Sequence, residues 1–569
     1  MDNRRIFLLA AGLFIAFLLY QAWMQDYGPK PLPAAVTTAT PAANSLAAEA
    51  SAPPLPPSPE AGTSSRPAVQ AVAAAPVPAA PQGKSIHVHT DVLDLSIDTS
   101  GGNIRDARLL DYPEELKDPQ IKVHVLSSAP ADLLLFESGL QTVTGPKAPG
   151  QTALYTTEDT DYTLAQGQQS LDVNLAWKDP HGLEVEKTYH FTRGSYQVDI
   201  DYHIANNSAE SWTGSAYAQF QNHYTPSSHS LFSVHRYDYQ RIAMHGTDGY
   251  KQYEFKDLAE KPLAEKADDG WTGIVNHYFL AAVIPQQANK TVTGKNFYYS
   301  KTLSDADYLV GVVSAAQTVA PAANTSFDDK LFLGPKLQTR LAGVAPGLEL
   351  TVDYGKLTII AQPIFWVLEQ IHRFIGNWGW SILVLTLLLK LLTYKLNEIS
   401  GRSMAKMRLV QPRLKALQER YKDDRAKQSQ AMMEFYKKEK INPMGGCLPM
   451  LVQMPIFFAL YYVLVYSVEL RQSPWIGWIH DLSAPDPLYI LPVVYGVVMF
   501  VQQRISPQPT TDNMQRKIMM VMPLGIAVLY AVLPSGLALY YVANSVLTIA
   551  QQWRINHVIE RDSKQHAKK

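Results

Sequence analysis

Four polar side chains recur at helical spacing inside an otherwise apolar stretch. Thr386, Lys390, Thr393 and Asn397 are separated by four, three and four residues, which predicts one shared helical face among leucines. A lysine placed in hydrocarbon costs about 2.5–3.5 kcal/mol on insertion scales, so water or a partner has to offset that cost. We therefore expect either a hydrated intramembrane site around Lys390 or an ammonium group that reaches the membrane surface along its flexible stem.

A second polar face follows the last apolar stretch. Hydroxyl and amide side chains recur there at helical spacing, and amides from two further stretches join them: Tyr541, Asn544, Ser545, Thr548, Gln551 and Gln552, with Gln453 and Gln502. Each group alone would suit a helix–helix hydrogen bond. No intramembrane carboxylate accompanies Lys390, so polar groups from four helices favour the hydrated site.

Motifs of enzymes and metal sites are missing from the sequence. The single cysteine, Cys447, forms no C-x-x-C or Cys/His cluster, and no G-x-S-x-G, H-E-x-x-H or Walker motif is present. His87 and His89 alternate along a predicted strand, as surface or core histidines do. We therefore expect no enzymatic activity, cofactor or metal, and the net charge of −1 makes nucleic acid an unsuitable partner.

Six apolar stretches predict six membrane spans. The first follows Arg4 and Arg5, so the positive-inside rule places the N-terminus in the cytoplasm; an uncleaved anchor is favoured over a cleaved signal peptide because no small-x-small site follows. The segment 395–440 carries thirteen Lys/Arg against six Asp/Glu, and the tail ends in two lysines. Both termini are thus predicted to be cytoplasmic.

The polar region after the anchor changes character once. Its first part is rich in Pro, Ala and Ser and cannot bury enough apolar surface to fold, so it is predicted to be a flexible tether. Apolar residues then alternate with period two, as at Leu93, Leu95 and Ile97, and turn sequences such as Ser100-Gly101-Gly102 separate the runs. About 250 residues of this kind predict a large antiparallel β-sandwich.

Helical periodicity begins after Tyr354. The first helix carries Glu369 and Arg373 opposite an apolar face, so it is expected to lie in the membrane interface, with Pro363 in its first turn. The basic segment predicts a helical hairpin, in which Pro412 starts or kinks the first helix. The fourth and fifth spans hold about 15 or 16 residues, or roughly 23 Å, so they are expected to thin a hydrocarbon core of about 30 Å.

These patterns predict a multi-domain membrane protein with an all-α five-helix transmembrane core. The predicted segments are an anchor at 1–24, a Pro/Ala-rich linker at 25–85, the β-sandwich at 86–354, an interfacial helix at 355–377, core spans at 378–396, 447–467, 488–503, 518–533 and 535–553, a cytoplasmic helical hairpin at 397–446, an extracytoplasmic loop at 468–487, a cytoplasmic loop at 504–517 and a basic cytoplasmic tail at 554–569.

Several short sequences resemble the YidC family of membrane protein insertases. They are Asn442-Pro443-Met444-Gly445-Gly446-Cys447-Leu448-Pro449, Gln453-Met454-Pro455-Ile456-Phe457, Ser467-Val468-Glu469-Leu470-Arg471, Trp478-Ile479-His480-Asp481-Leu482 and Pro534-Ser535-Gly536. The resemblance covers the C-terminal third in detail, and the anchor, tether and β-domain match the Gram-negative members. It implies a bacterial inner-membrane insertase and chaperone that acts alone or with the Sec translocon.

The resemblance also implies a site. Lys390 occupies a position that is normally arginine, and lysine keeps the charge but loses bidentate pairing with a carboxylate. Groove positions are matched by Thr386, Gln453 and Tyr541, and positions near the client path by Met454, Pro455, Phe457 and Tyr540. The usual Tyr-Pro-Leu reads Tyr394-Lys395-Leu396, which removes a proline that favours a helix break. Implied partners are nascent membrane proteins, lipid, Sec components and a ribosome that contacts the hairpin and tail.

We expect Lys390 to draw the acidic extracytoplasmic end of a client into a wet groove, after which its apolar helix moves into lipid. A solute transporter or channel would use the same polar residues, although no inverted repeat or pair of broken helices is visible in the sequence. A further alternative is that the β-domain provides the main function by binding a carbohydrate or an extracytoplasmic partner.

Overall fold

The computed structural model describes residues 83–224, 239–286, 294–304, 306–421, 424–439, 448–505 and 513–566. The predicted anchor at 1–24 and nearly all of the predicted linker at 25–85 lie outside these residues. So do the end of the predicted hairpin, with Cys447, and half of the predicted cytoplasmic loop at 504–517.

The N-terminal part of the described chain is built of β-strands. They are β1 (Ser85–His89), β2 (Leu93–Asp98), β3 (Asn103–Glu115), β4 (Asp118–Leu126), β5 (Leu134–Thr144), β6 (Asp161–Thr163), β7 (Ser170–Lys178), β8 (Leu183–Thr192), β9 (Gln197–Asn206), β10 (Trp212–His223), β11 (Gln240–Gly246), β12 (Gly249–Tyr253), β13 (Ala264–Ala267), β14 (Trp271–Asn276), β15 (Phe279–Gln286), β16 (Asn296–Thr302), β17 (Asp307–Val313), β18 (Gln317–Val319) and β19 (Ala323–Pro335). Two short helices belong to the same region, α1 (Phe255–Glu260) and α2 (Gln338–Val344).

The strands form two sheets that pack as a sandwich. The larger, eleven-stranded sheet has the order β13-β16-β17-β10-β5-β3-β2-β1-β6, with β18 paired to β10 and β4 paired to β3. The eight-stranded sheet has the order β12-β11-β14-β15-β19-β9-β8-β7. Neighbours pair antiparallel except β1 and β6, which are parallel. The predicted antiparallel β-sandwich is therefore present.

Alternating burial explains why these segments are strands. In β2 and β9 every second residue is buried, including Leu93, Leu95 and Ile97 in the predicted register. His87 and His89 lie on exposed positions of β1. Between the sheets, the Oη of Tyr202 on β9 donates a hydrogen bond of 2.9 Å to the Oγ of Ser138 on β5. Fully burying one large apolar side chain contributes about 1.5–3 kcal/mol, so the aromatic interior holds the sheets together.

The C-terminal part of the described chain is helical. Its helices are α3 (Thr358–Ile375), α4 (Trp378–Leu392), α5 (Tyr394–Arg420), α6 (Arg425–Lys438), α7 (Leu448–Tyr466), α8 (Ile490–Ile505), α9 (Asn513–Tyr530) and α10 (Ser535–His566). The last helix, α10, packs against α4, α5, α7 and α8, while α3 packs against α4 and α7. No single helix of the described chain is long and apolar enough to cross a membrane. Helix α4 and the following segment Tyr394–Ser403, taken together, meet the same criteria of length and hydropathy.

Helix boundaries follow local capping. Gly376 adopts a left-handed conformation, with φ of 72°, and ends α3. The Asn377 side chain accepts a hydrogen bond of 3.1 Å from the Trp380 amide and caps the N-terminus of α4. Pro363 lies in the second turn of α3, not in its first, because that helix begins five residues earlier at Thr358.

The predicted span at 378–396 is interrupted. Helix α4 ends at Leu392, and the segment beginning at Tyr394 is bent from it by 60°. The prediction that one helical face continues past Thr393 is therefore wrong. The Thr393 hydroxyl donates a hydrogen bond of 2.9 Å to the Leu389 carbonyl oxygen, a local bond of the kind that bends helices. The break forms although Lys395 stands in place of proline.

Two further helices extend past the predicted landmarks. Pro412 lies inside α5, so of the two predicted alternatives it does not start the helix, and a kink at Pro412 stays a prediction. Helix α10 continues to His566, so most of the predicted basic tail is helical. Helices α5 and α6 contact each other, and the Nε2 of Gln428 on α6 donates a hydrogen bond of 2.9 Å to the carbonyl oxygen of Gln418 on α5.

Candidate functional site

Helix α4 has one face turned toward the bundle. Thr386 is 1% exposed, and its hydroxyl donates a hydrogen bond of 2.6 Å to the Ile382 carbonyl oxygen. Lys390, one turn later, is half-buried on the same side of the helix. The opposite face is exposed and apolar, with Leu387, Leu388, Leu391 and Leu392. The Lys390 side chain is therefore attached to the face of α4 that contacts other helices, not to the leucine face.

Lys390 has no acidic partner in the part of the chain that the structure describes. The ion pairs nearest in sequence join Arg373 to Glu369 and Arg402 to Glu398, at 3.2 and 2.8 Å, with exposed arginines and half-buried carboxylates. None of the described carboxylates lies within 4 Å of the Lys390 Nζ. The site thus carries an uncompensated positive charge among helices.

Helices α7 and α10 are joined by two of the sequence-predicted residues. The Nε2 of Gln453 donates a hydrogen bond of 2.9 Å to the Oη of Tyr540, which is 1% exposed. A net contribution of about 0.5–1.5 kcal/mol is typical for such a bond. This contact fixes one predicted groove amide to one predicted client-path residue.

Tyr541 lies where four helices meet. Its ring centroid is 5.2 Å from that of Phe457 on α7, 6.0 Å from that of Tyr495 on α8 and 5.0 Å from that of Tyr530 on α9. Tyr540 precedes it at 4.9 Å. Aromatic pairs of this kind contribute about 0.5–1.5 kcal/mol each beyond their burial, so the cluster stabilises the point where the four helices meet.

Met454 and Pro455 stand on the same helix as Gln453. The Met454 side chain is 42% exposed, and Pro455 is half-buried inside α7, where it removes one backbone donor. Within the described residues, no hydrogen bond or ion pair connects Lys390 to Gln453 or Tyr541. The sharing of one pocket by these three side chains stays a prediction.

The remaining polar residues of α10 divide into two groups. Gln551 is buried and its Nε2 donates a hydrogen bond of 3.1 Å to the Tyr394 carbonyl oxygen, directly after the break between α4 and α5. Thr548 and Gln552 bond within their own helix, to Asn544 and Asn556. Gln551 therefore links the polar face of α10 directly to the helix break.

A contact between the β-sandwich and the helices was missed by sequence reasoning. We call it the domain seam, and it consists of His277, Tyr354, Val465, Ser467, Glu469 and Arg471. The Nη2 of Arg471 donates hydrogen bonds of 2.8 and 3.0 Å to the carbonyl oxygens of Pro113 and Glu114 on β3. Tyr354 and Ser467 approach to 3.3 Å through their hydroxyl groups. The only signal was the family resemblance of residues 467–471, which carried no indication of their partners.

Comparisons with known proteins agree along the whole chain. Family models described as "YidC periplasmic domain" and "60Kd inner membrane protein" match residues 85–367 and 370–563. Proteins named membrane protein insertase YidC from Nitrosococcus oceani and Thioalkalivibrio sulfidiphilus are each 43% identical, over 99% of this chain and 100% of the relative.

One solved structure with similarity to the chain is described as "Active YidC insertase crystal structure with the first transmembrane domain resolved". It is 18% identical, with a TM-score of 0.36, and the match covers 83% of this chain and 94% of that one. The full-length relatives carry the assignment: this chain belongs to the YidC family of membrane protein insertases of the bacterial inner membrane.

Proposed function

We propose that this chain inserts transmembrane segments of other proteins into the bacterial inner membrane and assists their folding. Its β-sandwich lies in the periplasm, and both termini, the α5–α6 hairpin and the 504–517 loop lie in the cytoplasm. The α4 helix with the start of α5, together with α7, α8, α9 and the first part of α10, forms the five-span core. Full-length identity to proteins named as insertases supports this proposal.

The observation that carries the mechanism is the position of Lys390. Its side chain is half-buried on the bundle face of α4, one turn from the buried Thr386, and none of the described carboxylates pairs with it. A charge held in this way among apolar helices attracts an opposite charge more strongly than it would in bulk water, because the local dielectric is lower. An acidic client tail is a suitable partner.

The client's path follows from this attraction. The acidic extracytoplasmic end of the client enters a hydrated groove beside Thr386, Lys390, Gln453 and Tyr541. Its apolar helix then passes Met454, Pro455 and Phe457 into lipid, and the transfer of apolar surface from water provides the driving force. A short span lowers the distance over which the polar end must travel. No bond is made or broken, so neither a cofactor nor a catalytic residue is needed.

The cytoplasmic elements are proposed to deliver clients. The hairpin carries exposed basic side chains, including Lys415 and Lys437, and α5 packs against α7. Such a surface favours contact with the anionic ribosome by long-range attraction. We propose that the ribosome and the Sec translocon bind the hairpin and the tail when clients need them.

Reconstituted vesicles test the role of Lys390. Lys390→Ala should reduce insertion of a client with an acidic periplasmic tail about tenfold, and Lys390→Arg should restore it. Lys395→Ala is a matched control, because Lys395 is an exposed lysine only five residues away. A client whose acidic tail residues are replaced by neutral ones should insert equally well with wild type and Lys390→Ala. Full insertion of the acidic client by the alanine variant would reject the proposed mechanism.

A further inference from the structure

An apolar groove runs along the outer side of helices α8 and α9. It has a volume of about 520 Å³ and is lined by Tyr489, Pro492, Val493, Gly496, Val497, Phe500, Pro523, Leu524, Ala527, Val528 and Ala531. None of these residues belongs to the predicted client path or groove. The lining carries no charged side chain, so its natural occupant is a hydrocarbon.

Small residues form the floor of this groove and larger ones its sides. A Cβ atom added at Gly496 would lie 3.2 Å from the Cβ of Ala527, so the two helices approach closely at that point. Val497 and Leu524 stand beside this floor with exposures of 59% and 68%. The groove is therefore open toward the surroundings of the bundle, which in the proposed topology are lipid tails.

The dimensions of the groove suit an acyl chain. Tyr489 and Phe500 are eleven residues apart, which corresponds to about 16 Å along a helix, or about half of a hydrocarbon core of about 30 Å. One extended acyl chain of a single leaflet spans about the same length, half of the hydrocarbon core.

A positive charge stands at one end of the groove. The Arg504 guanidinium lies 5.1 Å from the centre of the Phe500 ring, which lines the groove. Arg504 is exposed, and within the described residues no carboxylate lies within 4 Å of it. Because guanidinium groups bind phosphate through paired hydrogen bonds, this arginine is placed to hold a lipid headgroup.

We propose that the groove between α8 and α9 binds one acyl chain of an anionic phospholipid whose phosphate pairs with Arg504. In the proposed topology Arg504 is at the cytoplasmic end of α8, so the lipid belongs to the cytoplasmic leaflet. The inference rests on the proposed function only for this placement in the membrane. It assigns to α8 and α9 a lipid-binding role that is separate from client transfer.

Lipid retention by the purified full-length protein tests the proposal. The protein in detergent is titrated with dioleoylphosphatidylglycerol or dioleoylphosphatidylcholine, and bound lipid is counted by native mass spectrometry. Phosphatidylglycerol should be retained at least fivefold more strongly than phosphatidylcholine. Arg504→Gln should remove this preference and leave the retention of phosphatidylcholine unchanged. Gly496→Leu, which fills the floor of the groove, should reduce the retention of both lipids about fivefold.

Arg554→Gln provides the matched control. Arg554 is an exposed arginine whose guanidinium lies 6.0 Å from the Tyr394 ring, and neither residue lines the groove between α8 and α9. Its replacement should leave the lipid preference intact. If Gly496→Leu fails to remain monodisperse, Arg504→Gln carries the test alone, because Arg504 is exposed and glutamine keeps a side chain of similar length beside Phe500.

Two results would overturn the proposal. One is a wild-type protein that retains phosphatidylglycerol no more strongly than phosphatidylcholine, or an Arg504→Gln variant that keeps the full wild-type preference. The other is a photoreactive residue at Val497 that captures client segments and no lipid in vesicles. The lipid measurement contains no client, so a protein that retains phosphatidylglycerol through Arg504 but inserts nothing would support the lipid site and reject the proposed function.

Discussion

The Nε2 of His277, between strands β14 and β15, donates a hydrogen bond of 2.8 Å to the carbonyl oxygen of Val465 in the last turn of α7. The His277 ring also lies 4.9 Å from the Tyr466 ring, and both groups of the hydrogen bond are buried. Carbonyls in the last turn of a helix lack intrahelical partners, so the β-sandwich supplies a donor that the helix needs. The two domains are thereby coupled at the end of a helix that carries Gln453 and Phe457.

Replacing His277 with alanine should loosen the domain seam. The Val465 carbonyl oxygen would stay buried without its donor, which costs about 1–3 kcal/mol. We expect a lower unfolding temperature and faster protease cleavage between the two domains, both measured on the purified full-length protein. His87→Ala, at an exposed position of β1, is the control. Unchanged cleavage and melting would show that the seam does not depend on this bond.

Glu469 makes the seam sensitive to pH. Burial, with a smaller contribution from Glu369, raises the pKa of Glu469 from 4.5 to about 7. A carboxyl group with a raised pKa in the folded state binds more protons there than in the unfolded state, so stability falls as pH rises from about 4.5 to about 7 and is then constant. The upper limit of this loss is about 3 kcal/mol.

Glu469→Gln should therefore reduce the pH dependence of unfolding. The wild-type protein should lose more stability between pH 5 and pH 8 than the variant does, as measured by unfolding temperatures in one detergent. Glu115→Gln changes an exposed carboxyl group on β3 and serves as the control. Parallel pH profiles for wild type and Glu469→Gln would contradict a buried, protonated Glu469.

Lys187 holds the two sheets of the sandwich together. The fully buried amino group on β8 donates hydrogen bonds of 2.7 and 3.0 Å to the carbonyl oxygens of Gly102, in the turn before β3, and Ser138, on β5 of the opposite sheet. Burial lowers the pKa of Lys187 well below its usual value, and the charge of Asp329 partly opposes this effect. Lys187→Met should destabilise the protein by about 2–6 kcal/mol, because two buried carbonyl oxygens lose their donor, and each such loss costs about 1–3 kcal/mol.

Denaturant unfolding of the full-length protein measures this loss. Lys178→Met on the neighbouring strand β7 is a matched control, since that side chain is 70% exposed. A stability change as small as that of the control would mean that apolar packing of the methionine can replace the hydrogen bonds of Lys187, as is found for some buried polar groups.

Local periodicity was sufficient to predict the β-sandwich but not the seam. The alternation at Leu93, Leu95 and Ile97 reports which face of β2 is buried, because each side chain lies on one side of a pleated strand. The bond from Arg471 to Pro113 joins residues 358 positions apart, and nothing in either local pattern specifies that pairing.

For the candidate site, too, the sequence predicted the helix faces but not the contacts between helices. Helical spacing identified the faces that carry Thr386, Gln453 and Tyr541, yet it could not specify that Gln453 bonds to Tyr540. The break at Thr393 was also missed, because a threonine hydroxyl that bonds to its own helix leaves the hydrophobic pattern unchanged. Contacts between elements decide these features, and periodicity describes each element alone.

Thr393 is expected to set the bend between α4 and α5. Its hydroxyl donates to the Leu389 carbonyl oxygen at 2.9 Å, and its own backbone amide bonds to the same carbonyl. Thr393→Ala removes the side-chain bond and should let the helix continue with a smaller bend. The distance between spin labels at positions 384 and 402 reports the bend. It would be about 27 Å along a straight helix, and about 23 Å for two nine-residue segments that meet at Thr393 with a bend of 60°.

Pulsed electron paramagnetic resonance on labelled cysteines, in a Cys447→Ser background, measures this distance. We expect Thr393→Ala to lengthen this distance by about 2–4 Å. Thr386→Ala is a matched control, since Thr386 makes the same bond to its own helix, at 2.6 Å to the Ile382 carbonyl oxygen, inside an unbroken segment. An unchanged distance in Thr393→Ala would place the cause of the bend in the Gln551–Tyr394 contact instead.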